Sequence, residues 1–326
     1  MHHIVGHAWA VKRLSSAIEN NQLAQSHLFV GPPHIGKSAL AKATASQLLS
    51  RNAKDPARTT QLVETLRHPD LNWLEAEGEG ATRSIKVETI RELLHALSLS
   101  PVEGHQRVAV LNDAHLVTES GKNAILKTLE EPNPSVVIIL IAPSVDTVLP
   151  TISSRCQILN LRPVPISQVS AALQARGIEA SQAGFVARLS RGRMGWAIRA
   201  IEDETVLAER KERLDQLQDL LAANRTQRFA FAEKLARADG PEIQAMLEEW
   251  TLFWRDVVQQ QHANNGTRAP LRNSDYGSAI TRAAERNPLP AVAATLRTLA
   301  QTSQHLQQNV NARLALDVLM LKLPAA

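Results

Sequence analysis

Apolar and polar positions follow two different rhythms along the 326 residues, and the change falls near residue 163. Up to about Cys156, short β-rich apolar runs alternate with segments of helical period. Val11, Leu14 and Ile18 share one helical face, and residues 27–30 form an apolar run before a helix-forming stretch at 39–49. Residues 52–69 are polar and read as an irregular surface insertion. Leu71 to Leu74 predicts a strand, and 85–97 predicts a helix with Ile90, Leu93, Leu94 and Leu97 on one stripe. A turn at 101–106 precedes the β-rich run 107–111. A helix is expected over 119–130, ended by Glu131-Pro132-Asn133-Pro134. The run 136–141 is continuously β-branched or apolar, as in a strand covered on both faces. Alternating strands and helices imply a parallel sheet between helical layers.

After Arg162-Pro163-Val164-Pro165 the pattern contains no convincing strand. Residues 166–203 read as short helices broken at Gly177, Gly192 and Gly195. From 204 onward the period is helical, with a polar break at 261–275. The expected division is an α/β nucleotide domain at 1–163, a small helical lid at 164–203 and a helical bundle at 204–326. The bundle's last segment carries Leu314, Leu316, Val318, Leu319, Leu321 and Leu323 nearly all round its helix. That predicts burial in the bundle or against a neighbour.

The chemistry centres on Gly31-Pro32-Pro33-His34-Ile35-Gly36-Lys37-Ser38, a complete phosphate-binding loop between a strand and a helix. Backbone N–H groups and the helix N-terminus form an anion nest. Lys37 can reach β- and γ-phosphates, and the Ser38 hydroxyl can ligate magnesium. Such a loop needs a partner strand ending in an acid. The candidate is 108–111 followed by Asn112-Asp113. The usual pair is Asp-Glu. A neutral Asn112 holds a metal's water shell more weakly, and Asp113 is one methylene shorter than Glu. The site is expected to bind ATP or ADP with magnesium and to hydrolyse ATP poorly. The plainer reading of Asp113 is an ordinary acid at a strand end.

Composition narrows the classes. Lys and Arg total 36 against 32 acids, a net +4 that gives no nucleic-acid signal by itself. Aromatic residues are 3% of the chain, too few to suggest base-stacking platforms. One cysteine, Cys156, excludes an internal disulfide framework and a cysteine-rich zinc site, and suits a reducing cytoplasm. The N-terminus lacks a signal-peptide layout, and no apolar run reaches membrane-spanning length. His2, His3 and His7 lack metal-ligand spacing and read as an exposed terminus. Cys156 reads as a buried structural residue. The run Glu209-Arg210-Lys211-Glu212-Arg213 reads as a solvated helix face.

Three further segments carry a resemblance. They are Leu126-Lys127-Thr128-Leu129-Glu130-Glu131-Pro132, Ile152-Ser153-Ser154-Arg155-Cys156, and Asn309-Val310-Asn311-Ala312-Arg313-Leu314-Ala315-Leu316-Asp317. With the phosphate loop, they resemble bacterial DNA polymerase III clamp-loader subunits, of the AAA+ superfamily, over essentially the whole chain. The resemblance implies an AAA+ P-loop domain, a lid, and a collar that holds several subunits in a ring. It implies gamma/tau and delta partners, with sliding clamp and primed DNA engaged through the assembly and no membrane. Many relatives carry a four-cysteine zinc module after the first helix. Residues 50–69 contain no cysteine, and His68 alone cannot hold structural zinc.

Two kinds of subunit share these motifs, the ATP-hydrolysing gamma/tau motor and the catalytically weak delta-prime. Four features resemble delta-prime more closely. Asn112-Asp113 replaces Asp-Glu. In Arg191-Gly192-Arg193-Met194-Gly195-Trp196, Gly195 occupies the place of a phosphate-sensing arginine, with Arg193 or Arg199 as substitutes. Ala142-Pro143-Ser144 stands where motors usually carry a threonine. The chain ends soon after the bundle. The resemblance further implies that Arg155 serves a neighbouring subunit's nucleotide; its plainer role is a surface ion pair. An active gamma/tau-type ATPase, another AAA+ remodeller and a stand-alone DNA-binding protein are the alternatives. They differ in ATP turnover and in salt-sensitive DNA affinity of the isolated chain.

Overall fold

The computed structural model describes residues 4–78, 80–238, 240–262, 271–308 and 310–324. His2, His3 and Asn309 lie outside them. Packing divides the chain into two units, Met1–Ile198 and Arg199–Ala326.

The first unit is a five-stranded parallel sheet in the order β2-β3-β4-β1-β5. The strands are β1 (Ser26–Val30), β2 (Leu71–Leu74), β3 (Arg107–Leu111), β4 (Val136–Ala142) and β5 (Gln157–Asn160). Around them run α1 (Ala8–Glu19), α2 (Lys37–Ser50), α3 (Pro56–Glu64), α4 (Val87–Ser98), α5 (Glu119–Glu130) and the single turn α6 (Pro150–Ser153). Strand period two sorts the apolar residues into two layers. Phe29, Val108, Val110, Val137, Ile139 and Ile141 pack with α1, α2 and α3. Leu28, Val30, Ala109, Leu111, Ile138 and Leu140 pack with α4, α5 and α6. Both faces are covered, so β1, β3 and β4 are buried at every residue. This is the expected parallel sheet between helical layers, with the phosphate loop between β1 and α2.

Two expectations about elements need correction. The polar stretch 52–69 contains α3, because Asp55 caps the N-terminus, Pro56 begins it, and Thr59 and Val63 recur one turn apart on a buried face. Gly195 lies inside α9 (Met194–Glu202) rather than between helices. The edge strand β5 gives no clear apolar signal, since only Leu159 of its four residues is buried. The predicted turn at 101–106 is held from below. Buried Asp70 accepts from the amides of Val102 (2.6 Å), Glu103 (2.9 Å) and Gly104 (3.2 Å). Following β5 come α7 (Ile166–Gln174) and α8 (Ala180–Ser190).

The second unit is helical: α10 (Glu204–Ala222), α11 (Arg225–Leu235), α12 (Gly240–His262), α13 (Gly277–Arg286), α14 (Leu289–Gln307) and α15 (Ala312–Lys322). Trp250, Phe253 and Trp254 of α12 are fully buried at its centre. The charged run on α10 is not wholly solvated. Arg210 is 3% exposed and bonds Asp275 (2.7 and 3.0 Å) and Asn273 (2.6 Å), with Glu249 at 3.8 Å. On α15, Leu316, Leu319 and Met320 are buried, as is Leu323 just after it, while Leu314, Val318 and Leu321 are exposed.

Candidate functional site: the phosphate loop and its surroundings

The loop leaves the C-terminal end of β1 and runs into α2, so its amides converge above the sheet. Two glycines permit that path. Gly31 has φ 148°, and a β-carbon there would lie 2.4 Å from the Leu161 carbonyl oxygen. Gly36 has φ 110° and sets the N-terminus of α2. Pro32 follows Gly31 at the start of the loop.

Lys37 is 9% exposed and folds back on the loop, donating to the carbonyls of Gly31 (2.6 Å) and Pro32 (2.8 Å). Burial pushes its pKa down to about 8, and nearby Asp113 works in the opposite direction. The ammonium is thus held inside the nest where phosphate charge is to be met.

The strand-end pair sits beside the loop. Ser38 Oγ donates to Asn112 Oδ1 at 3.2 Å, and Asn112 Nδ2 donates to Glu75 Oε1 at 3.2 Å. Trp73 Nε1 also donates to that Glu75 oxygen, at 2.8 Å. The Ser38 hydroxyl and the Asn112 carbonyl oxygen are hard oxygen donors of the kind magnesium accepts, with water completing its shell. The donor set fits a nucleotide-bound magnesium. Ser38 and Asn112 are the side chains that would hold it, and the ion would supply charge neutralisation on the phosphates. Asp113 lies close enough to Lys37 to act on its charge and is also engaged by a second cation. Its backbone is left-handed (φ 67°), and its carboxylate pairs with Arg83 at 2.8 Å.

Two features press on the loop from the rest of the unit. His7 is buried rather than an exposed terminal residue, with its Nε2 3.1 Å from the Ile35 carbonyl oxygen. Burial lowers its pKa. Gly195 donates its amide to the His34 carbonyl at 2.8 Å, and a β-carbon on Gly195 would lie 2.9 Å from that oxygen. A side chain at position 195 would therefore press on loop backbone. Arg193 Nε donates to the Ser190 carbonyl at 3.1 Å, and its guanidinium lies over Trp196. Arg199 belongs to the second unit.

Arg155 is not brought to this site. It lies in the turn between α6 and β5, and Gln157 pairs level with His27 near the start of β1. The loop begins where β1 ends at Val30, so about 10 Å of strand separates the two levels at ~3.3 Å per residue. The guanidinium bonds Glu130 (2.5 Å) and the Thr151 carbonyl (2.6 Å). Cys156 is half-buried rather than fully buried; it packs against the core, and that burial raises its thiol pKa to about 11. His68 is buried, accepting the Asp70 amide on Nδ1. Among the described residues no group of three or more His, Cys, Asp or Glu is arranged to hold a metal, and no helix is long and apolar enough to cross a membrane.

Sequence reasoning missed Glu75, Arg83 and Glu130. Glu75 was the most accessible of the three, being an acid directly after a predicted strand. Arg83 and Glu130 matter only through pairing across 30 and 25 residues, which no local pattern signals.

The model of a family described as "DNA polymerase III, delta subunit" matches residues 6–165, and that of "DNA polymerase III, delta subunit, C terminal" matches 204–324. The chain is 27% identical over 324 residues to "DNA polymerase III subunit delta'" of Bacillus subtilis, covering 96% of this chain and 94% of that one. It is 34% identical over 162 residues to the protein of the same name from Pseudomonas aeruginosa, covering 48% of each. A solved gamma-subunit-related protein of Thermotoga maritima aligns with 94% of the chain at 17% identity, with a TM-score of 0.44. Matches to both structural units establish that the chain belongs to the DNA polymerase III delta-subunit family.

Proposed function

We propose that the chain is a delta-prime-type subunit of the DNA polymerase III clamp loader. It binds nucleotide, hydrolyses it inefficiently at best, and supplies Arg155 in trans to a neighbouring ATPase subunit. The observation that carries this reading is a phosphate loop complete in Gly31, Gly36, Lys37 and Ser38 beside an acid pair that lacks a hydrolytic carboxylate. Asn112 is neutral, and Asp113 is engaged by Arg83. Binding needs the loop; hydrolysis also needs an acid that orients water. Arg155 lies at the other end of the sheet from its own loop, which supports a role towards a neighbour's nucleotide rather than its own.

The working division is a nucleotide-binding region at 1–163, a lid at 164–203 and a collar at 204–326. The exposed apolar stripe on α15 supports the collar role, because a helix already buried on one side still presents Leu314, Val318 and Leu321. The partners in this reading are gamma/tau and delta subunits in a cytoplasmic hetero-oligomeric ring. The sliding clamp and primed DNA are reached through that ring. The test is nucleotide binding and ATP turnover by the purified chain, alone and then with gamma/tau and delta. The reading expects measurable binding of Mg-ADP or Mg-ATP, negligible turnover alone, and turnover on assembly. Robust turnover by the chain alone would favour a motor subunit.

A further inference from the structure

Arg155 is held before any neighbour arrives. Its Nη2 donates to Glu130 Oε1 at 2.5 Å, and its Nη1 to the Thr151 carbonyl at 2.6 Å, with Ser154 Oγ at 3.5 Å. Glu130 closes α5, and Thr151 lies in α6, so two separate elements fix one side chain. The Arg155 side chain is 33% exposed. A guanidinium carries five N–H donors, so the donors beyond these short bonds are available on its exposed side.

We propose that Glu130 is a positioning residue for Arg155: its carboxylate holds the guanidinium in the geometry in which a neighbouring subunit's nucleotide phosphate meets it. This rests on the trans-acting reading of Arg155. An arginine free in solvent samples many rotamers, and that freedom would have to be lost when the transition state forms. Binding it to Glu130 and Thr151 removes the freedom in advance. The pair adds little to folding stability, because it is half-exposed and screened. A positive fork beside a carboxylate also attracts a phosphate less than a lone one does. The arrangement therefore favours orientation over ground-state attraction, and Glu130 should act on the rate at the neighbouring site rather than on nucleotide affinity there.

The test uses the full chain assembled with gamma/tau and delta subunits, comparing wild type, Glu130→Ala, Glu130→Gln, Arg155→Ala and the Glu130→Ala/Arg155→Ala double variant. Single-turnover ATP hydrolysis and the affinity of a fluorescent ATP analogue are measured for each, with thermal melting of the free chain as the folding control. Glu130→Ala is expected to slow hydrolysis at the adjoining site by about tenfold while affinity holds or tightens slightly. Glu130→Gln keeps an oxygen acceptor and should restore most of the rate. The double variant should be no slower than Arg155→Ala alone. If Arg155→Ala is slow but Glu130→Ala runs at the wild-type rate, the positioning role is wrong and the trans-acting arginine stands. If Arg155→Ala itself runs at the wild-type rate, both fall. A double variant markedly slower than Arg155→Ala means Glu130 acts elsewhere and also overturns the proposal.

Discussion

The Gly195 amide is bonded to the His34 carbonyl at 2.8 Å, which sets the first turn of α9 directly on the phosphate loop. The lack of a side chain at 195 is therefore a packing requirement, since a β-carbon would meet His34 backbone at 2.9 Å. Restoring an arginine by Gly195→Arg should not create a sensor. It should destabilise the first unit by about 1–3 kcal/mol and weaken nucleotide binding, with no gain in turnover. Thermal unfolding and nucleotide titration of that variant check the point.

Lys37 sets a pH dependence for nucleotide binding. Burial holds it at about 8 in the free chain, below its ordinary 10.5. Phosphate oxygens favour the charged form and move the value back up. Below pH 8 the lysine is charged before and after binding, so affinity is flat. Above pH 8 binding takes up a proton, and affinity should fall by at most about tenfold per pH unit. Calorimetry in buffers of different ionisation enthalpy at pH 7 and pH 9 reads that proton directly. Lys37→Ala should abolish binding at both.

Arg228 is another buried cation, held by main-chain carbonyls. Its guanidinium donates to the carbonyls of Leu220 (2.9 Å), Leu221 (3.3 Å), Leu323 (2.7 Å) and Pro324 (2.9 Å), closing the C-terminal ends of α10 and α15 together. Arg228→Met keeps apolar bulk but strands these acceptors. The expected loss is about 2–5 kcal/mol, read as a lower urea midpoint.

Leu314, Val318 and Leu321 are 61%, 40% and 57% exposed and recur at helical spacing on α15. Replacing Leu314 and Leu321 by Lys should leave the melting temperature of the free chain nearly unchanged, because neither is in the core. It should prevent co-elution with gamma/tau and delta. Co-elution as strong as wild type would remove this face from the collar contact.

The parts of the fold that were legible in the sequence are those where one local rule acts alone. The loop needs Gly31, Gly36, Lys37 and Ser38 in order, and β4 is apolar at every position because both its faces are covered. The rest depended on distant partners. Arg210 sits in a charged run that reads as solvated, yet Asp275 and Asn273 draw it inside. The half-exposed β5 carries too little apolar pattern to be seen. That Asp113 reaches less far than a glutamate is legible from its length, but its engagement by Arg83 is not. His7 reads as an exposed terminal residue because nothing nearby in sequence predicts a contact with Ile35.

Single-turnover ATP hydrolysis by the assembled complex, with Arg155 varied, tests the central claim most directly. An arginine acting on a neighbour's γ-phosphate contributes about 10³–10⁵ in rate at that site. Arg155→Ala should leave folding and assembly intact and nearly silence the adjoining site. Total turnover should fall by less, since other sites keep their own arginines. Arg155→Lys should rescue poorly, because an ammonium lacks the planar fork. Wild-type kinetics at every site in the Arg155→Ala complex would contradict the account and leave Arg155 as a surface ion pair with Glu130.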